Sequence, residues 1–562
     1  MVRLINLKAL LLFFAIIACN VEKGQEQETP TEPEKTFVWN NANIYFLLTD
    51  RFNNGDSSND QMYDRKADGA LLRNFMGGDI KGVTQKIKDG YFESMGITAI
   101  WLTPIWEQIH GFTDEGTGKT YSYHGYWARD WTAVDPNFGT FEELKEMVDT
   151  AHANGIRILM DVVINHTGPV TDIDSQWPDS WVRTGPTCAF TNKETTINCT
   201  LVENLPDIYT GSNEPVELPE FLISKWKEEG RYEQEIAELD AFFSSTGHPR
   251  APRFYIMKWI VDYVKELGID GFRVDTAKHT EAEIWGELKV LAAAAFEDWK
   301  DANPDQKLDN SPFYMTGEVY NYSLYSGQQF DMGENQMVNF YANGFESLIN
   351  FAFKGDANKP VEELFSFYSE VLNNGDLKGY SILNYISSHD DGEPFDKERQ
   401  HVLEAGTKLL LTPGASQIYY GDETARPLVI EGTNGDANLR SFMNWDELSN
   451  NVERNGYNIS DVQQHWSKLG KFRKNHIAVG AGVHEKIADA PYTFKRTFSG
   501  QGHNDKVVVA MDFDGTNVTV SVSGVFEDGT ELTEYYTGQK LTVEGGQVAV
   551  NNAGPLVLLG KS

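Results

Sequence analysis

The chain has 562 residues, 40% of them hydrophobic, and a formal net charge of −35. That is enough apolar material for a large core and for two or three domains. The charge argues against nucleic acid, whose phosphates it would repel, and against charge-driven binding to anionic lipid; a neutral or cationic ligand fits better, and most of the acidity serves solubility.

Arg3 and Lys8 lead into an apolar stretch, Ala9–Ala18, that is too short to span a bilayer and is followed at once by Cys19. Residues 1–19 therefore read as an export signal. The order Ile16-Ile17-Ala18-Cys19 resembles a bacterial lipobox, which would make Cys19 the lipidated first residue and the only membrane attachment; an unlipidated signal peptide is the alternative. Residues 20–36 hold five glutamates and three prolines or glycines without an apolar cluster, the composition of a disordered tether. The remaining cysteines, Cys188 and Cys199, lie eleven positions apart in an exported chain, so a local disulfide is expected. With no CxxC motif, zinc and redox chemistry have no support.

From residue 37 to about 445, short β-branched runs alternate with amphipathic helical segments. The expected strands are Ile44–Thr49, Ile97–Thr103, Ile156–Val163, Ile269–Asp275, Tyr314–Glu318, Ser347–Phe351, Ser381–Ser387 and Ser416–Tyr420. Between them, Phe141, Leu144, Val148 and Ala151 follow the capping box Thr140-x-x-Glu143, and a second helical run ends at Gly268. Eight strands alternating with helices fit an α/β fold, a (β/α)8 TIM barrel, better than an open sheet. About a hundred residues separate the third and fourth strands, too many for one crossover helix, so 168–248 is expected to be a small inserted domain between barrel segments 37–167 and 249–455. Short alternating strands rich in Val and Thr within 460–562 read as a C-terminal antiparallel β-sandwich.

Barrel enzymes carry their chemistry at the carboxyl ends of strands. Here the third strand ends in DVVINHTG with Asp161, Asn165 and His166, and the fourth gives GFRVDTAKH with Arg273, Asp275, Lys278 and His279. The fifth ends in GEVY with Glu318, and the seventh in SSHDD with His389 and Asp390. Period-two alternation sets Arg273 and Asp275 on one face, so a guanidinium orients a carboxylate and favours its charged form. Taken singly, an Arg-x-Asp pair or a strand-end acid is more often structural. Three carboxylates on three strand ends instead supply one proton-retaining acid and one ionised partner, the pair glycoside hydrolysis needs.

These four segments resemble the conserved regions of the α-amylase family, glycoside hydrolase family 13, over nearly the whole chain after the tether. LPDIY at 205–209 resembles the family's short motif in the inserted domain, and YSYHGYWARD at 121–130 supplies His124 and Tyr126. The resemblance implies Asp275 as nucleophile, Glu318 as general acid/base and Asp390 as the third acid. It implies a substrate-binding set of His124, Tyr126, Asp161, His166, Arg273, Lys278, His279 and His389, with Arg273 orienting Asp275 and with Lys278 and His279 on the leaving-group side. The implied reaction is retaining and acts on internal α-1,4 bonds of starch-like glucans.

Calcium is the implied cofactor. One Ca²⁺ would join the insert to the barrel through Asn165, Asp207 and the carbonyl of His279, with Asn198 or Glu194 as candidates for a further ligand. Another is suggested by NGDSSND at 54–60 and GGD at 77–79, through Asn54, Asp56, Asn59, Asp60, the Gly77 carbonyl and Asp79.

Three other readings compete. A transglycosylating relative shares the covalent intermediate, but cyclising members place an aromatic four positions before the insert's aspartate, where this chain has Glu203, and carry further carboxyl-terminal domains for which no sequence remains. A neopullulanase or cyclodextrinase specificity is the next alternative, and a non-catalytic surface starch-binding protein is a reading of another class. Resemblance to lipoproteins of starch-using Gram-negative bacteria implies an outer-membrane or surface location, with a surface starch-uptake complex as partner and the periplasm as the alternative.

Overall fold

The computed structural model describes residues 35–114 and 116–562. The export signal, Cys19 and nearly all of the tether lie outside these residues. Among the described residues no helix is long and apolar enough to cross a membrane.

Eight parallel strands close into a barrel in chain order: β1 (Asn43–Leu47), β2 (Ala99–Leu102), β3 (Arg157–Val162), β4 (Gly271–Val274), β5 (Tyr314–Gly317), β6 (Ser347–Asn350), β7 (Ser381–Tyr385) and β8 (Ala415–Tyr419). Closure is made by β8 against β1, with Ser416 opposite Asn43 and Tyr419 opposite Phe46. Every residue of β1, β3 and β8 is buried, which is why these segments read as nearly continuous apolar runs rather than alternating ones. All eight expected strands are present, each ending one or two residues before the expected boundary. Asp275 and Glu318 stand just past their ladders, although their N–H groups still donate to Val162 and Val274 at 2.9 Å.

The outer helices form for local reasons. Thr140 accepts from the Glu143 N–H while Glu143 reaches back to the Thr140 N–H, closing the capping box of helix Phe141–Ala153. Helix Pro252–Leu267 starts with proline at its first turn and stops at Gly268, whose φ of 74° ends it in the left-handed region. At the amino-terminal end of the barrel, Trp39 stacks on Tyr314 with centroids 3.7 Å apart, and such a pair adds about 0.5–1.5 kcal/mol beyond its buried area.

After β2 the chain makes a hairpin, Trp106–Gln108 against Ala128–Val134, whose connecting loop carries His124 and Tyr126. Between β3 and β4 lie the two-stranded sheet Val182–Arg183 with Asp207–Ile208 and helices Lys193–Asn198, Glu220–Glu228 and Tyr232–Thr246. Trp177, Trp181 and Trp226 of this segment pack on Trp131 and Trp259, so the insertion shares the barrel's core. Cys188 and Cys199 are disulfide-bonded.

One expected element differs. Residues 460–475 belong to a helix, Ile459–Asn475, not to a strand-rich segment. Val462, Trp466, Leu469 and Phe472 recur at helical spacing on its buried face, and the Trp466 indole N–H donates to the Val402 carbonyl of the neighbouring barrel helix at 3.0 Å. The antiparallel region starts at Val483: β9 (Val483–Asp489), β10 (Tyr492–Gly500), β11 (His503–Met511), β12 (Val518–Ser521), β13 (Glu531–Glu534), β14 (Gln539–Thr542), β15 (Gln547–Val550) and β16 (Val557–Gly560). Six of these pair in the order β9-β10-β11-β16-β13-β14 and face the β12–β15 pair across a core that includes Val508, Val520, Leu532, Val548 and Leu559.

Candidate active site

The carboxyl ends of β3, β4 and β5 bring three carboxyl groups onto one guanidinium. Arg273 Nη1 donates to Asp161 Oδ1 at 2.9 Å and to Asp275 Oδ1 at 2.7 Å, and Nη2 lies 3.2 Å from Glu318 Oε2. Asp161 also accepts from the Trp101 indole N–H at 3.0 Å and the Tyr126 hydroxyl at 2.8 Å. Arg273 lies over the Trp101 ring at 5.0 Å.

Two residues expected to touch substrate do not. Asp161 is 0% exposed and Arg273 1%, and both lie beneath the carboxylates they hold. They position Asp275, Glu318 and Tyr126 instead, because side chains with almost no exposed surface cannot reach a sugar.

Glu318 and Asp275 differ in their surroundings. Burial, opposed by Arg273 and reinforced by Asp275 and Asp390, pushes the Glu318 carboxyl up to about 8. Its Oε2 accepts the Thr276 N–H at 2.7 Å and faces Arg273, so the retained proton belongs on Oε1. Thr276 donates from a backbone at φ 47°, a left-handed turn that a non-glycine residue adopts at some cost, immediately after Asp275. Asp390 has a side chain 41% exposed, with His389 Nδ1 3.6 Å away.

The three histidines cluster around Tyr126. Its ring lies 5.2 Å from His389 and 5.8 Å from His124, both nearly parallel, and its carbonyl is 3.1 Å from His166 Nε2. Burial, helped by Arg440, holds His124 and His389 well below the ordinary imidazole range, and burial lowers His166 too, so all three are neutral hydrogen-bonding groups. On the other side, Lys278 Nζ donates to the Tyr320 carbonyl at 3.2 Å and sits 4.9 Å over the Tyr320 ring. His279 is buried, its ring edge-on to Phe190 at 4.8 Å and its Nδ1 3.1 Å from the Thr196 carbonyl.

Sequence reasoning missed several neighbours. Asp436 bridges Arg440 at 2.6 Å and Arg73 at 3.0 Å, and Arg440 Nε donates to the His389 carbonyl at 2.8 Å. The signal was there as an Asp-x-x-x-Arg pair just after β8. Tyr320, 52% exposed two residues past Glu318, is a ready stacking face. A cavity of about 640 Å³, lined in part by Tyr63, His110, Phe112, Tyr121 and Ile173, lies along the loop that leads to His124.

The expected calcium ligands divide into two cases. In the amino-terminal loop, Asn54 Nδ2 donates to Asp60 Oδ1 at 2.8 Å, and a Cβ on Gly77 would fall 2.5 Å from each of these atoms. Asn59 Oδ1 is buried without a partner, so these four residues form an oxygen-rich cradle that suits a hard cation. Asp79 and Asp56 depart from the expectation. Asp79 caps helix Ile80–Lys88, accepting from Gly82, Gly55 and Asp56 N–H groups, while Asp56 accepts from Lys81 and Ser58.

At the barrel–insert junction an arginine shares part of the expected donor set. Arg183 Nε donates to Asp207 Oδ2 at 2.6 Å, Nη1 to Asn198 Oδ1 at 3.1 Å and Nη2 to the Ile197 carbonyl at 2.9 Å. One Asp207 oxygen, Oδ1, is left without a partner. Asn165 contributes its carbonyl to the Ile208 N–H at 2.8 Å.

Comparison with known proteins agrees with this geometry. A family profile described as "Alpha amylase, catalytic domain" matches residues 46–482. The periplasmic α-amylase of Escherichia coli (strain K12) is 35% identical over 514 residues, 81% of this chain and 70% of its own length. A cyclomaltodextrin glucanotransferase of Geobacillus stearothermophilus is 27% identical over 86% of this chain and 61% of its own length. Among solved structures, an Anoxybacillus α-amylase superposes with a TM-score of 0.61 at 22% identity, over 94% of this chain and 99% of that one. A cyclomaltodextrin glucanotransferase with a three-domain ABC distribution gives 0.62 at 23% identity, over 92% and 99%. The second structure removes domain count as a mark against a transferase. With the barrel, the strand-end carboxylates and these matches in agreement, the chain belongs to the α-amylase family, glycoside hydrolase family 13, and is a glycoside hydrolase.

Proposed function

We propose that the chain is an endo-acting, retaining α-amylase that cleaves internal α-1,4 bonds of starch-like glucans. One observation carries the reading: Arg273 holds Asp275 and Glu318 on the two ends of a single guanidinium while burial keeps a proton on Glu318. Carboxyl groups so tethered stand close together, as the ~5–5.5 Å separation of a retaining pair requires.

In the first step Glu318 Oε1–H gives its proton to the glycosidic oxygen as Asp275 attacks the anomeric carbon, breaking the C–O bond and forming a glycosyl ester. In the second, Glu318, now ionised, takes a proton from water. The water oxygen bonds to the anomeric carbon, Asp275 leaves as carboxylate, and the α configuration is restored. Asp390 and the neutral His124, His166 and His389 are placed to hydrogen-bond the ring as positive charge develops. Tyr320 and Lys278 are placed for the leaving-group side.

Export fits the periplasmic relative, and the Cys19 lipobox supports an outer-membrane or surface lipoprotein. Asn54, Asn59, Asp60 and the Gly77 backbone would hold one Ca²⁺, which would supply rigidity to the loop and no chemistry. Glu203 is exposed in a polar turn, which favours hydrolysis over cyclisation. Purified protein mixed with amylose should release reducing sugar, with release abolished in Asp275→Asn and Glu318→Gln; none from wild type would favour a binding protein. Cyclic products as the main output would move the assignment to a transferase.

A further inference from the structure

The cavity of about 640 Å³ beside the His124 loop has an aromatic wall that is held in place from several directions. Tyr63 and Asp64, two consecutive non-glycine residues, both have φ of 55°, a left-handed backbone that such residues adopt at a cost. This turn lays the Tyr63 ring on His110, with centroids 3.8 Å apart and planes 14° from parallel. The buried Glu107 carboxylate holds both rings, accepting from the Tyr63 hydroxyl at 2.8 Å and lying 3.1 Å from His110 Nε2. Lys225 of the insert stands 2.9 Å from the same carboxylate, so the pair is fixed from the barrel and from the insert. Two apolar side chains complete the lining, Phe112 at 46% exposed and Ile173 at 64%. Lys119 Nζ lies 3.9 Å over the Phe112 ring and pairs with Asp68 at 2.6 Å, which steadies the phenyl group at the surface.

The lining selects a class of ligand. Its volume falls within the ~300–1,000 Å³ of small-molecule sites, and flat rings suit the apolar faces of a pyranose. Asp64, Lys66 and Asp172 also line it, and among the described residues none of the three side chains has an ion pair or hydrogen bond. A polyanion would meet the two carboxylates, and an apolar ligand would strip water from all three groups without replacing its hydrogen bonds. A neutral polyol donates to the carboxylates and accepts from the ammonium. The position of the cavity says which polyol. Two segments that border it run on to ring-binding histidines: Tyr121 stands three residues before His124, and Thr171 five after His166. We infer that this cavity is a second glucan-binding site, which holds a neutral α-glucan segment away from the bond that is cut. The inference rests on the α-glucan reading of the active site and adds to it a grip on long chains. Contact at two places raises the apparent affinity for a polymer without altering the chemistry at Asp275 and Glu318. It also accounts for two large apolar side chains left at the surface on one wall.

The test compares wild type with the double variant Phe112→Ala/Ile173→Ser, whose exposed side chains can be lost with little change in Tm. On amylose the double variant should show KM raised about fivefold at unchanged kcat. On a nitrophenyl maltoside, too short to occupy both places, kcat/KM should stay at the wild-type value. Asp172→Asn should raise KM for amylose about twofold by weakening one hydrogen bond. An amylose KM equal to wild type in the double variant, or an equal loss on the maltoside, would overturn the inference. Affinity electrophoresis through amylose in the Glu318→Gln background reads binding without turnover. There the double variant should be retarded less than Glu318→Gln alone, and equal retardation would also overturn the inference. If wild type is retarded by amylose yet releases no sugar from it, and the double variant is not retarded, the amylase reading fails and the second site stands. Should the double variant not fold, Phe112→Ala alone is put through the same measurements, with the same outcomes deciding.

Discussion

Replacing Glu318 by glutamine should abolish turnover and also stabilise the fold, by an amount that grows with pH. The carboxyl has an ordinary value of 4.5 and is held at about 8 in the folded chain. Between those values the unfolded chain has released a proton that the native chain retains, so the unfolded state binds fewer protons and stability falls as pH rises. The gap is worth about 5 kcal/mol at 1.36 kcal/mol per pH unit, an upper bound that relaxation of the site reduces to roughly 2–5 kcal/mol. Glutamine is neutral throughout. Its oxygen can keep the Thr276 and Arg273 contacts of Oε2, and its amide takes the place of Oε1–H. Glu318→Gln should therefore match wild type near pH 4.5 and exceed it by a few kcal/mol above pH 8, the two ends of the shift. Urea titrations of both proteins across this range give the difference directly. A difference that stays flat with pH, or a wild type that is the more stable at the alkaline end, would refute the reasoning. The same group should set the alkaline limb of kcat/KM in wild type near pH 8.

Other consequences are open to measurement. Asp161→Asn should cost about 3–5 kcal/mol by leaving Arg273 underneutralised, and should lower kcat by about 10²-fold with little change in KM; an unchanged kcat would show that Arg273 needs no second anchor. Tyr320→Ala should raise KM for amylose roughly fivefold, the worth of about 1 kcal/mol of stacking, and leave kcat nearly unchanged. Opening the Cys188–Cys199 bridge by double serine substitution should cost up to about 3 kcal/mol for a loop this short and raise KM through the Phe190–His279 contact. Chelation should lower Tm in wild type by more than in Asp60→Asn, and equal shifts in the two proteins would remove the loop calcium.

The barrel was legible because its strands are buried on both faces and therefore read as unbroken apolar runs bounded by polar strand ends. The active-site set was legible for the same reason: Asp275, Glu318, His166 and His389 sit where those runs stop. What escaped were relations that only closure of the barrel creates. Asp161 looks like a substrate ligand from its strand-end position, but Trp101, Tyr126 and Arg273 converge on it from three elements and seal it from the cavity. Asp436 and Arg440 lie 160 residues and more after Asp275, in a loop whose pairing with Arg73 no local pattern announces. Helix Ile459–Asn475 was obscured by its many polar residues, because its buried face mixes Val462, Trp466, Leu469 and Phe472 with His465 and Arg473. Arg183 was invisible as a junction residue, since a lone arginine in a two-residue strand carries no signal until Asp207 and Asn198 are folded against it.

The division of labour between Asp275 and Glu318 is tested most directly by trapping the intermediate. An α-glucosyl fluoride needs no acid to leave, and in Glu318→Gln no base remains to hydrolyse the ester, so the glycosyl-enzyme should accumulate. Intact mass followed by peptide mapping should place one glycosyl group on Asp275. An adduct on another residue, or no adduct together with a β-configured first product in wild type by NMR, would contradict the double-displacement assignment.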